Sequence, residues 1–215
     1  MDGLVRAVSQ RLSDHSQTTI DIIRHGEPVG GRKYRGFKDD PLSEKGWRQM
    51  RDAVANFADW NFISSSPLTR CADFAQELST KMSIPVQLDA RFKEIDWGVW
   101  EGCTTEQICQ DNPNALIEFR ANPIGLKPKN AESAVEFYQR VILGWEDLVQ
   151  QNQKKHILLV GHAGIIRSIM CKVLDIPAEH MFRIYVSNAA ITRIEITHTN
   201  DGDYARLIFH DGKIS

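Results

Sequence analysis

The spacing of apolar residues changes several times along the chain, and each change predicts an element. Residues 18–24 (Thr-Thr-Ile-Asp-Ile-Ile-Arg) form a β-branched run that stops at Gly26 and reads as a buried strand. Residues 27–41 are rich in Gly, Lys, Arg and Asp and read as a loop. Ser43 suits an N-cap, and Trp47, Met50, Val54 and Phe57 then recur at i, i+3, i+7 and i+10, as on a one-sided helix. Residues 62–65 read as a second strand, Pro67 fits the first turn of a helix running toward Lys81, and residues 85–88 read as a third strand. The pattern is irregular across residues 94–130, with short helices at 105–110 and 114–120. A long helix follows, its inner face marked by Val135, Tyr138, Val141, Ile142, Trp145, Leu148 and Val149. Residues 156–160 are continuously apolar, as in a sheet covered on both faces, and Gly161 turns this strand into a helix through Leu174. Two strand-like runs, 190–197 and 204–210, are joined by Asn200-Asp201-Gly202-Asp203, read as a hairpin turn rather than a calcium loop. Alternating strands and helices predict one three-layer α/β/α domain with a central, mostly parallel sheet. It spans residues 18–215, with residues 1–17 as an N-terminal extension and residues 94–134 as an inserted cap.

Composition narrows the function. A chain of 215 residues can bury a substantial core in one domain. The net charge of −2 offers no basic field for nucleic acid or an anionic membrane, so any attraction for an anion must be local. The run 157–166 is too short for a membrane span and is interrupted by His162. No secretory signal is expected at the start. Cys71, Cys103, Cys109 and Cys171 show neither CxxC nor zinc-like spacing, which predicts free thiols in a reducing, cytoplasmic setting. Oligomeric state is not legible, and a homo-oligomer stays open.

Chemistry concentrates where strands hand over to helices. Arg24-His25-Gly26-Glu27 closes the first strand, Ser65-Ser66-Pro67-Leu68-Thr69-Arg70 follows the second, and Gly161-His162-Ala163-Gly164 follows the apolar strand. Open α/β sheets bind ligands at such strand ends. Two guanidiniums and two imidazoles gathered there predict a pocket for a phosphate dianion. Hydrolysing a phosphate monoester requires neutralised oxygens, an in-line nucleophile and a proton for the leaving oxygen. The chain has no HExxH, no clustered Asp ligands and no GxxxxGKS loop, so Arg and His are expected to act without a metal or cofactor. His15, His156, His180, His198 and His210 lack motif context and read as structural or exposed.

Those three motifs, together with Glu94-Ile95-Asp96-Trp97-Gly98-Val99-Trp100-Glu101-Gly102, resemble the histidine phosphatase (phosphoglycerate mutase-like) superfamily over residues 18–188. The resemblance implies a phosphoglycerate mutase-like fold and a phosphohistidine mechanism. It makes His25 the nucleophile, with its tautomer set by a backbone hydrogen bond. Arg24 and Arg70 would clamp the phosphoryl oxygens, and His162 would donate to the phosphoryl group. Glu94 would protonate the leaving oxygen and then deprotonate water. Asp96 and Glu101 stand nearby as alternative donors, Glu101 more readily as an anchor for its loop.

Within the superfamily, the run from Gly30-Gly31 through Tyr34 and Gly36 to Pro41-Leu42-Ser43 looks like the α-ribazole phosphatase branch. Ala131-Glu132-Ser133 resembles that branch's Gly-Glu-Ser, with Ala in place of Gly. The implied substrate is a small-molecule phosphate ester, either α-ribazole 5'-phosphate of cobalamin assembly or a broader range of esters. Tyr34, Arg35 and Ala163 are candidate substrate contacts, and Trp97 and Trp100 either touch substrate or wall the cap. A phosphoglycerate mutase-type phosphotransferase is the alternative; Pro28 and two glycines, where mutases carry Ser/Thr-x-x-Asn, count against it. A silent phosphate-binding module is the second alternative, and it would be expected to lack His25 or the acid.

Overall fold

In the computed structural model, which describes residues 16–110, 112–212 and 214, β1 (Ser16–Arg24) runs through the middle of a six-stranded sheet. The other strands are β2 (Phe62–Ser65), β3 (Val86–Leu88), β4 (His156–Gly161), β5 (Ile191–Thr199) and β6 (Gly202–Gly212), in the order β3-β2-β4-β1-β5-β6. β1, β2, β3 and β4 are mutually parallel, while β5 runs antiparallel to both neighbours. The expected architecture is therefore present. β1 begins two residues earlier than its apolar run because Ser16 and Gln17 extend the ladder to His198 and Thr197 of β5. The rest of the expected N-terminal extension lies outside the described residues.

The main helices are α1 (Glu44–Ala53), α2 (Thr69–Met82), α5 (Ala134–Gln151) and α6 (Ala163–Val173), with short α3 (Thr105–Ile108) and α4 (Ala115–Ala121) between β3 and α5. The two faces of the central strands feed two cores. Ile20 and Ile22 of β1 and Ile157 and Leu159 of β4 pack with α5 and α6. Ile23, Leu158 and Val160 point to the other side and pack with α1 and α2. Burial on both faces explains why β1 and β4 read as continuous apolar runs. Phe119 of α4 and Trp97 join the first core, so residues 94–134 pack onto the sheet domain.

Local chemistry set most boundaries. Ser43 caps α1 by accepting from Gly46 N, and Ser133 with Glu136 forms a capping box at α5. Pro67 was expected inside a helical first turn. It instead precedes Leu68, the N-cap of α2, whose backbone is extended. Phe57 lies beyond α1, packed against Trp60, so its helical spacing was coincidental. On α5 the expected inner face is buried at Val141, Ile142, Trp145, Leu148 and Val149, while Val135 is 38% exposed and Phe137, outside the expected set, is fully buried.

The layout places the site. β1 and β4 are neighbours in register, with Arg24 opposite Gly161. The chain leaves β1 toward α1 on one face and leaves β4 into α6 on the other. This divergence opens a crevice at the carboxyl ends of two adjacent strands.

Candidate active site

His25 and His162 are the first residues past β1 and β4, so pairing of those strands brings them together. Their rings meet edge to face, with centroids 5.2 Å apart. His25 Nδ1 donates to Gly26 O at 2.7 Å. That bond puts the hydrogen on Nδ1 and leaves Nε2 with its lone pair. Gly26 also lets the chain pack against the start of α1, since a Cβ there would lie 2.3 Å from Gly46 O. His25 is buried, and burial together with the nearby Arg24 and Arg70 charges pushes its pKa well below the usual imidazole range. The ring is neutral at pH 7, as a nucleophile must be.

The two expected clamp residues converge here. Arg70 is completely buried at the start of α2, donating through Nη1 to Lys38 O at 2.9 Å and through Nη2 to Gly36 O at 2.8 Å. Arg24 Nη1 donates to Val186 O at 2.8 Å. The Nε–H groups of both side chains are buried without a protein acceptor. Two adjacent guanidiniums with unspent donors make a site that favours an anion, since a buried cation without a counter-charge is costly.

His162 is completely buried, and its pKa is also driven well down, first by burial and then by Arg70, His25 and Arg24. A 2.8 Å hydrogen bond joins its Nε2 to Ser66 Oγ, which accepts from Leu68 N. Cys71 packs behind the ring, its Sγ donating to Gly161 O at 3.4 Å, and burial raises its thiol pKa to about 12. The thiol is thus inert packing.

Glu94 enters from the loop after β3 and is 8% exposed. Its Oε1 accepts from Ile95 N at 3.0 Å and its Oε2 from Gly164 N at 3.1 Å, tying it to the first turn of α6. Behind it, Arg140 of α5 donates to the carbonyls of Arg91, Lys93 and Glu94 and forms a two-pronged pair with Glu132. The two other candidate donors are engaged elsewhere. Glu101 accepts from the backbone N–H groups of Gly36, Phe37, Lys38 and Trp97, and so anchors the first loop. Asp96 accepts from Gly98 N and closes a tight turn.

The proposed substrate contacts divide. Arg35 lies close enough for its charge to act on His25, but its donors are spent within its own loop: Nε donates to Asp40 at 2.6 Å and the Nη groups to Gly31 O and Val29 O. Tyr34 stands against Trp97 and Trp100, edge to face, and Ala163 is buried in the first turn of α6. Trp97 and Trp100 form a wall with Phe119. His156 pairs with the buried Asp21, His198 with Thr18 and Asp203, and His210 with Thr192. Three residues near the site escaped the sequence reading: Ser66, Arg140 and Arg167. Ser66 stood inside a motif already singled out but was given no role, and Arg167 had a local signal as a charge in the otherwise apolar first turns of α6. All four cysteines are free. Among the described residues no helix is long and apolar enough to cross a membrane, and no cluster of three or more His, Cys, Asp or Glu has metal-holding geometry.

The profile of the histidine phosphatase superfamily (branch 1) matches residues 20–203. Phosphoserine phosphatase 1 of Hydrogenobacter thermophilus is 26% identical over 181 residues, 81% of this chain and 85% of that one. Glucosyl-3-phosphoglycerate phosphatase of Mycolicibacterium vanbaalenii is 28% identical over 170 residues, 74% of this chain and 75% of that one. The native structure of mycobacterial glucosyl-3-phosphoglycerate phosphatase superposes with a TM-score of 0.80 at 26% identity, covering 91% of this chain and 99% of the other.

Proposed function

The chain belongs to the histidine phosphatase superfamily (branch 1), and from that premise we propose that it hydrolyses small-molecule phosphate monoesters through a phosphohistidine at His25. The observation that carries this reading is the Nδ1–H bond of His25 to Gly26 O, which leaves Nε2 free beside two buried guanidiniums. His25 Nε2 attacks phosphorus, and the P–O bond to the alcohol breaks. Glu94, entering protonated, gives its proton to the departing oxygen. Water then attacks the phosphohistidine, the P–N bond breaks back to neutral His25, and Glu94 recovers a proton from that water. Arg24 and Arg70 hold the phosphoryl oxygens throughout, and His162, steadied by Ser66, faces the charge that shifts in each step.

α-Ribazole 5'-phosphate is a second, narrower reading, favoured by the first-loop run from Gly30 to Ser43. The test is a turnover assay on p-nitrophenyl phosphate with rapid alkaline quench. Acid-labile, alkali-stable phosphate on His25 is expected, and it should vanish in His25→Ala. Label on Ser66 or Cys71 would overturn the mechanism. A rate with α-ribazole 5'-phosphate above those of all other esters would establish the narrower reading.

A further inference from the structure

Consecutive carbonyls of the segment between α6 and β5 each accept from a different element. Arg167 Nε of α6 donates to Ile184 O at 2.8 Å, His210 Nε2 of β6 to Tyr185 O at 2.7 Å, and Arg24 Nη1 of β1 to Val186 O at 2.8 Å. A carbonyl only accepts, so the His210 hydrogen sits on Nε2. The following residues grip the end of β1: Asn188 Nδ2 donates to His25 O at 3.3 Å, and Ala189 N donates to Arg24 O at 3.1 Å. Residues 184–189 therefore hold both the side chain of Arg24 and the backbone that carries His25. Val186 is buried, but Tyr185 is exposed and Ser187, Asn188 and Ala189 are only half-buried. With so little apolar burial, the course of this segment depends on its hydrogen bonds.

The end of β6 supplies two of these restraints. Thr192 pairs with His210 and Ile191 with Gly212, which leaves Asp211 as the extra residue of a β-bulge, with φ at 54°. A bulge re-aims side chains. This one turns the Asp211 carboxylate onto Ser187, whose Oγ donates to it at 2.7 Å. The hydroxyl of the fully buried Thr192 lies 2.7 Å from His210 Nδ1 and steadies the ring. Both side chains therefore reach across to the segment that holds Arg24.

We propose that His210 and Asp211 are positioning residues for the Arg24 clamp: they hold Tyr185 and Ser187, and so place the Val186 carbonyl that aims the guanidinium. This rests on the phosphatase reading above and adds to it a brace that touches no substrate. An arginine anchored through Nη1 presents the rest of its planar fork in one orientation, which lowers the ordering cost of binding a phosphate.

The test reads phosphate binding directly, by titration calorimetry of the full chain with inorganic phosphate. His210→Phe removes the donor to Tyr185, and Ser187→Ala removes the donor to Asp211. Each should raise the dissociation constant about three- to tenfold, the contribution of one hydrogen bond. His210→Gln, which keeps an N–H donor at similar reach, should stay within about twofold of wild type. Asp211→Gly suits the left-handed backbone and removes the carboxylate, and it should match Ser187→Ala and add nothing to it in the double variant. In an Arg24→Lys chain these substitutions should shift the constant by less than about twofold, whereas a merely structural role would act alike in both backgrounds. Ser187 and Asp211 lie outside the core, so their variants keep the test decisive if His210→Phe misfolds. Wild-type phosphate affinity in Ser187→Ala or Asp211→Gly, or an equal loss in the Arg24→Lys chain, would overturn the brace. Binding is read without turnover, so a chain that hydrolyses no ester would instead overturn the phosphatase reading.

Discussion

Gly164 N donates to Glu94 Oε2, and a Cβ on Gly164 would fall 2.1 Å from Glu94 Oε1 and 2.7 Å from the Phe137 ring. The acid is therefore seated by a glycine on the same turn that presents His162. Gly164→Ala is expected to lower kcat on p-nitrophenyl phosphate by about tenfold or more while costing about 1–3 kcal/mol of stability. Glu94→Gln, which keeps the shape and removes the proton, should lower kcat by ~10²–10⁴ on poor leaving groups, with much less effect on the phosphorylation step of p-nitrophenyl phosphate. Steady-state and burst kinetics check both. A Gly164→Ala enzyme with wild-type kcat would refute the seating.

Glu101 acts at a distance through backbone. Its carboxylate holds the N–H groups of Gly36, Phe37 and Lys38, and the carbonyls of Gly36 and Lys38 hold Arg70. Glu101→Ala should free this loop, weaken inhibition by inorganic phosphate by about tenfold and cost about 2–4 kcal/mol of stability. Asp96→Asn should change phosphate affinity by less than about twofold, because Asp96 closes only a local turn. Phosphate inhibition constants and urea melts separate the two.

Stability should fall as the medium becomes acidic, earlier than carboxylates alone would cause. His25 and His162 both have pKa values pushed below 6.5 by burial and by Arg24 and Arg70, with Arg35 near His25 and Arg140 near His162 adding to the repulsion. Below pH 6.5 the unfolded chain takes up protons that the fold refuses, so folding weakens as pH drops. Each refused proton contributes a slope of up to about 1.4 kcal/mol per pH unit. Asp21, also lowered, adds its loss only below about pH 4. Urea denaturation at pH 7.5, 6.5 and 5.5 tests this. A flat profile, or one unchanged in His25→Asn, would contradict the assignment.

Arg140 and Glu132 form a brace behind the acid. Glu132→Gln should lower kcat about three- to tenfold with KM little changed, because it loosens a positioning contact rather than a phosphate contact. A rise in KM at constant kcat would place the brace in substrate binding instead.

Removing divalent ions should leave the rate within about twofold, since the proposed chemistry uses guanidinium charge where other enzymes use a Lewis acid. Dialysis against a chelator followed by assay checks this, and restoration of lost activity by a divalent ion would refute it.

The sequence by itself determined the layered α/β architecture and named the residues of the candidate site. Strand and helix periods are local signals, and Arg24, His25, Arg70 and His162 each sit beside a strand end that their own neighbours specify. Only the tertiary structure decided the remainder. Glu101 and Glu94 are seven residues apart, and the resemblance already cast the first as an anchor and the second as the acid, but which groups hold each was not legible locally. Backbone N–H groups of residues 36–38 capture the first, and Gly164 captures the second. That the Arg35 donors are taken up by Asp40 and the Val29 and Gly31 carbonyls was not legible in the sequence, because backbone carbonyls carry no side-chain signature. Arg140 and Arg167 lay on helices whose faces are assigned by packing, so their roles depended on contacts between elements far apart in the chain. Periodicity records which way a residue faces, and the fold alone supplies what it faces.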